Sequence, residues 1–143
     1  MDNLILKVCT KVLFTPIILF GLYVQFHGDF GPGGGFQAGV IVAAAFILYA
    51  MVFSLKDCKR IMPPNINFFL LVLGAFLYGF VGIAGLILGD PYLSYDVLGS
   101  TKQSGQHIGI LLVEFGVGLT VCNVMICLFY SFANFDFGKN KND

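Results

Sequence analysis

INFFLLVLGAFLYGFVGIAGLIL, residues 66–88, runs for 23 positions without one charged side chain. Crossing the hydrocarbon core of a bilayer takes about 20 mostly apolar residues in a helix. The run meets that length, and three more stretches of the chain resemble it. The sequence therefore predicts an all-α integral membrane bundle of four transmembrane helices, at residues 8–26, 36–55, 66–88 and 107–132 of a single membrane domain, 1–143.

The composition agrees. Hydrophobic residues make up 57% of the 143 positions and charged residues 11%, and the mean hydropathy is +0.86. Soluble domains carry about 25% charged residues. The formal net charge is zero and Arg60 is the sole arginine, so nothing here is basic enough to hold nucleic acid. Of the four cysteines, Cys9, Cys58, Cys122 and Cys127, none forms a C-x-x-C pair, and only Cys58 lies outside an apolar run. In apolar segments cysteine serves as a small, soft packing residue, and no metal or cofactor is expected. Lys7 and Lys11 ahead of an apolar stretch could suggest a signal peptide. The stretch continues to Phe26 with no small-residue cleavage site, so it reads as a retained first span.

Local signals punctuate the spans. Pro16 removes one backbone donor near the start of the first. Pro63 and Pro64 cannot sit inside the third, and Asn65 is the expected N-cap. With four spans, both termini lie on one side. If that side is the cytoplasm, it holds Lys7, Lys11, Lys56, Lys59, Arg60, Lys139 and Lys141, and the far side holds only Lys102. A bias of this kind sets the orientation of membrane proteins, so both termini are expected inside. The loop of residues 89–106 would then be the longer outer loop.

On the third span, Ala75, Gly79, Gly82 and Gly89 can share one face. Small residues let helix backbones approach closely in lipid. That face fits a contact with another subunit or packing within the chain's own bundle.

Two segments could carry chemistry. HGDFGPGGGFQ, residues 27–37, joins the first two spans. Its glycines permit backbone angles closed to other residues. They end where the second helix begins, and a helix start exposes unpaired N–H groups and partial positive charge. Pro32, Gly33, Gly34, Gly35, Phe36 and Gln37 therefore form either a site for a polar or anionic group or simply a tight hairpin. The pattern is neither the Rossmann nor the P-loop glycine spacing. His27, at the lip of the first span, could handle protons near neutral pH or only anchor the interface.

The second segment is the fourth span, whose one acid is Glu114. An acid inside a span costs about 2.5 kcal/mol or more near the helix centre, and such residues face protein or water. His107 lies seven residues before Glu114 and Gly118 four after, which puts all three on one helical face. Glu114 is a candidate ion or proton relay, or a carboxyl that only hydrogen-bonds to a neighbour. No catalytic triad, H-E-x-x-H or metal-ligand cluster is present in the sequence, so catalysis by this chain is not expected.

The stretch LFGLYVQFHGDFGPGGGFQAGV, residues 19–40, resembles the signature of the MrpB/MnhB family, H-G-H-x-x-P-G-G-G-F-Q-x-G. Asp29 stands where that family has its second histidine. HIGILLVEFGVGLTV, residues 107–121, is similar to the family's fourth helix. The resemblance implies a subunit of a multisubunit sodium/proton antiporter in the bacterial inner membrane. Its partners there would be MrpA, MrpC, MrpD, MrpE, MrpF and MrpG, with the lipid bilayer around them. Similar subunits in membrane-bound hydrogenases make a redox-complex scaffold the alternative, and a self-sufficient small oligomeric transporter is a third.

Overall fold

The structure, a computed structural model, describes residues 3–28, 33–87, 89 and 102–139. Among these the chain forms five helices: α1 Leu4–His27, α2 Gly35–Val52, α3 Leu55–Ile61, α4 Pro64–Ile87 and α5 Lys102–Lys139. Four of them, all but α3, are long and apolar enough to cross a membrane. Asp29 and Pro32 of the glycine turn, and most of the segment expected as the longer outer loop, lie outside the described residues.

The helices depart from the expected bounds for physical reasons. Helix α1 begins at Leu4 rather than near Val8, because lysine stems can lie along a helix while their ammonium groups reach water. It runs unbroken through Pro16. Helix α2 stops at Val52, and the expected tail of that span turns at Ser54 into α3. The Ser54 Oγ accepts the Asp57 N–H at 3.1 Å, which caps α3. Helix α4 begins at Pro64, so Asn65 is inside the first turn and is not the N-cap. Proline suits that first position because its missing N–H would have no partner there anyway. The Pro63 carbonyl accepts from the Asn67 N–H at 2.9 Å. Helix α5 starts at Lys102, taking in residues expected in the loop, and its 38 residues reach about 57 Å at 1.5 Å each. That exceeds the roughly 30 Å hydrocarbon core, so part of the helix stands clear of it.

The long helices pack in the order α1, α2, α5, α4, with α5 between α2 and α4. Backbone proximity, more than bulky side chains, makes the contacts. Between α1 and α2, Gly21 lies against Val42 and the Ala38 carbonyl. Between α2 and α5, Gly35, Gly39 and Ala43 recur every four residues and face Gly118 and its neighbours. Between α4 and α5, Asn67, Gly74 and Val81 recur every seven and are buried. A Cβ on Gly74 would lie 2.8 Å from the Gly116 carbonyl oxygen. The expected small-residue face of the third span is not packed throughout its length within this chain. Gly82 is buried, but among the described residues nothing outside α4's own backbone comes within 4 Å of a would-be Cβ on Gly79, and Gly89 lies beyond the helix in a turn with φ +92°.

At the end where α3 sits, the core gathers Ala50, Cys58, Ile126 and Tyr130. The Tyr130 hydroxyl donates to the Met62 carbonyl at 3.0 Å and lies 3.3 Å from Cys58 Sγ. Cys58, placed by the sequence outside the apolar runs, is fully buried, and that burial raises its thiol pKa. Two amides are buried between α4 and α5. Asn67 Nδ2 donates to the Asn123 carbonyl at 3.0 Å, and Asn123 Nδ2 to Leu119 at 2.7 Å. Each of their Oδ1 atoms is buried without a hydrogen-bond partner, a cost of about 1–3 kcal/mol apiece.

Candidate functional site

The glycine turn and Glu114 meet. Helix α1 ends at His27 and α2 starts at Gly35, and the Glu114 side chain of α5 lies at this junction. A Cβ on Gly28 would come within 2.9 Å of Glu114 Oε2, and one on Gly34 within 3.4 Å of Oε1. Gly34, the residue before α2, has φ +157° and ψ 176°, a region open mainly to glycine, and it offers no side-chain cap. The first intrahelical bond of α2 is Ala38 N–H to the Gly34 carbonyl, at 3.0 Å. The N–H groups ahead of it form the positive end of the helix, and the Glu114 carboxylate lies beside that end.

What holds the carboxylate there is contact between backbones. A Cβ on Gly35 would strike the Glu114 carbonyl oxygen and sit 3.0 Å from the Gly118 nitrogen. One on Gly39 would sit 2.5 Å from the Gly118 carbonyl oxygen. On the other side of Gly118, the Gln25 side-chain oxygen would be 2.5 Å from an added Cβ. Helices α1 and α2 thus close on one turn of α5, from Glu114 to Gly118, and against that backbone Gly35 and Gly39 have no room for a side chain.

An open groove of about 370 Å³ runs over this junction, lined by Gly33, Gly34, Gly35, Phe36, Gln37, Val113, Glu114 and Val117. Among the described residues, Glu114 is the one ionisable group in its lining. Phe36 and Gln37 are exposed at its edge. A groove with a carboxylate, backbone N–H groups and an amide can hold a hydrated cation, a water chain or a donor side chain. Among the described residues no group of three His, Cys, Asp or Glu could hold a metal ion.

The structure thus brings together Glu114, Gly118 and the turn residues Gly33 to Gln37. It does not place the two histidines on the groove. His107 is exposed further up α5, and His27 is exposed and stacked on Tyr23 at 5.0 Å between ring centres. Pro32 lies outside the described residues, and Gly79, Gly82 and Gly89 are on α4 or past its end. Sequence reading missed Gln25, Gly28 and Gly39. Gly39 had a signal, because Gly35 and Gly39 form a small-xxx-small pair at the start of α2.

The family described as "Domain related to MnhB subunit of Na+/H+ antiporter" matches residues 5–127. The chain is 31% identical over 130 residues to a Na(+)/H(+) antiporter subunit of Alkalihalophilus pseudofirmus, covering 84% of this chain and 90% of that one. It is also 31% identical over 133 residues to the putative antiporter subunit mnhB2 of Staphylococcus aureus strain Newman, covering 91% and 94%. The matched residues take in the glycine turn, the four-residue glycine spacing of α2 and the Glu114–Gly118 turn that it packs against. With that junction inside the match and the relatives covered almost end to end, the chain belongs to the MnhB family of antiporter-subunit domains.

Proposed function

We propose that this chain is a subunit of a multisubunit sodium/proton antiporter in the bacterial inner membrane, where it shapes an ion-translocation interface and has no catalysis of its own. The observation that carries the reading is the meeting of Glu114 with the N-terminal end of α2 at an open groove. An ionisable group inside a span is costly, and it persists where it faces protein or water that uses it. Other subunits must complete the route, because Glu114 is the one acid in the apolar part of any span. The antiporter subunits named MrpA, MrpC, MrpD, MrpE, MrpF and MrpG are the proposed partners. Exposed Phe68, Phe69, Phe76 and Phe80 on α4 supply apolar surface for them or for lipid.

Reconstitution separates this reading from a self-sufficient transporter. Vesicles holding the chain alone should show no sodium-driven pH change, while vesicles holding the assembled complex should. Robust exchange by the chain alone would overturn the dependence on partners.

The same proposal orients the chain with both termini in the cytoplasm. The structure gathers α3 with the start of α1 and the end of α5, since Lys11 lies over the Phe53 ring and Lys59 donates to Asn134. The positively charged loop residues therefore share one end, and the Glu114 groove is toward the other. Single cysteines replacing Asp29 or Arg60, in a background without the native cysteines, test this. An impermeant thiol reagent added outside intact cells should label the first and spare the second. The reverse pattern would invert the orientation.

A further inference from the structure

We infer that a groove between α3 and the end of α5 binds the phosphate of an anionic phospholipid headgroup. The groove measures about 340 Å³ and is lined by Ser54, Leu55, Lys56, Lys59 and Asn134. Lys56 and Lys59 are three residues apart on α3, so they share a face. Lys59 is held in place: its Nζ donates to Asn134 Oδ1 at 2.9 Å and lies 5.5 Å from the Tyr130 ring centre. Lys56 is exposed at the rim. The one acid of α3, Asp57, borders the groove through Ser54 and shares its charge with Arg60. Asp57 accepts from Ser54 Oγ at 2.8 Å and lies 3.7 Å from Arg60 on the neighbouring face. Two ammonium groups, with a hydroxyl and an amide beside them, thus line one small groove.

Its depth and its walls select an amphiphile. Helix α2 ends at Val52 and α3 begins at Leu55, so the groove lies within a turn of a span's end. Asn134 is in the last turn of the apolar part of α5, which ends at Phe135, so a second span sets the same level. This is headgroup depth, and the aromatic rings of Tyr49, Phe53 and Tyr130 cluster near it, as aromatic residues do at membrane interfaces. Leu55 and the lysine stems give the groove an apolar wall that a free phosphate ion has no use for, and a glycerol backbone and upper acyl chain do. Lys11, over the Phe53 ring at the same end, adds to the positive field.

The test uses the assembled complex reconstituted in phosphatidylcholine vesicles doped with a photoreactive lipid. Photoreactive phosphatidylglycerol should label residues 54–59 or the Asn134 turn at least about fivefold more than photoreactive phosphatidylcholine does, since each of the two lysines near the surface contributes a factor of about five. Lys56→Gln, which alters an exposed side chain, should lower that preference. Lys56→Gln with Lys59→Gln should bring it to one, and the paired arginine substitutions should retain it. Equal labelling by the two lipids in the wild type would overturn the site, as would a preference that survives the double glutamine variant. Loss of labelling on adding millimolar inorganic phosphate would assign the groove to a free anion. Crosslinks from the groove to another subunit in place of lipid would assign it to a protein contact.

Discussion

Gly35→Ala should collapse the amount of assembled complex by about tenfold or more. The added methyl has nowhere to go. It would strike the Glu114 carbonyl oxygen, with the Gly118 nitrogen 3.0 Å away. Overpacking a well-filled contact costs about 1–3 kcal/mol even where flexible side chains can yield, and here the obstructing atoms are backbone. The first turn of α2 would have to lift off α5, taking Phe36 and Gln37 with it. Gly39→Ala should fail similarly, since its methyl meets the Gly118 carbonyl at 2.5 Å. Gly34 has more room and should suffer through its backbone angles. Gly79→Ala is the contrasting case, because none of the described residues outside α4's own backbone approaches it. Native gels of membranes carrying a tagged chain measure the outcome. Normal assembly of Gly35→Ala would mean that α2 and α5 do not pack through these backbones. A defect in Gly79→Ala would assign that face of α4 to a partner subunit.

Glu114→Gln should do the opposite, leaving assembly near normal while cutting antiport roughly tenfold or shifting its pH dependence. Glutamine keeps the shape and most of the hydrogen-bonding capacity but carries neither charge nor exchangeable acid proton. The interaction of the charge with the start of α2 that the fold would lose is worth about 0.3–1 kcal/mol. Transport loses the one ionisable group that lines the groove among the described residues. Inverted vesicles and a pH-sensitive dye, read across a series of pH values with and without sodium, give the rate. Wild-type exchange at every pH would make Glu114 a structural carboxyl and the subunit a scaffold.

The two substitutions probe one place, and the sequence presented it as two. The spans were readable because apolar length alone reports them, and the glycine turn and Glu114 each stood out locally. Their meeting was not readable. It joins residues about 80 positions apart, Gly35 and Glu114, through a backbone contact, and the small-xxx-small pair of Gly35 and Gly39 does not say which helix it meets. Helical spacing offered His107, Glu114 and Gly118 as one face, yet of the two ionisable residues on it only Glu114 lines the groove. On α4 the glycines were noticed, but periodicity could not say which ones face α5. Gly74 does, as part of a seven-residue repeat with Asn67 and Val81. Helix α3 went unread although its capping pattern, Ser54 followed three residues later by Asp57, is a usable signal. The apolar run before it drew the second span on to Leu55 and hid the break.

The central position of α5 also sets the order in which the molecule can be made. Of the five helices it is the last to leave the ribosome, and both α2 and α4 find their main neighbour in it. Helices α1 and α2 can pair as soon as they are inserted, through Gly21 and Ala38. Helix α4 must wait in the bilayer with Asn67 and Gly74 unmatched. The glycine edge of α2 waits too, offering lipid a shallow notch. Insertion and folding are thus separated in time, and α5 completes the fold. A nascent chain interrupted before residue 102 would span the membrane three times yet lack the helix that joins its parts. Membrane quality control could tell such a fragment from the finished protein by those unmatched polar and glycine surfaces alone.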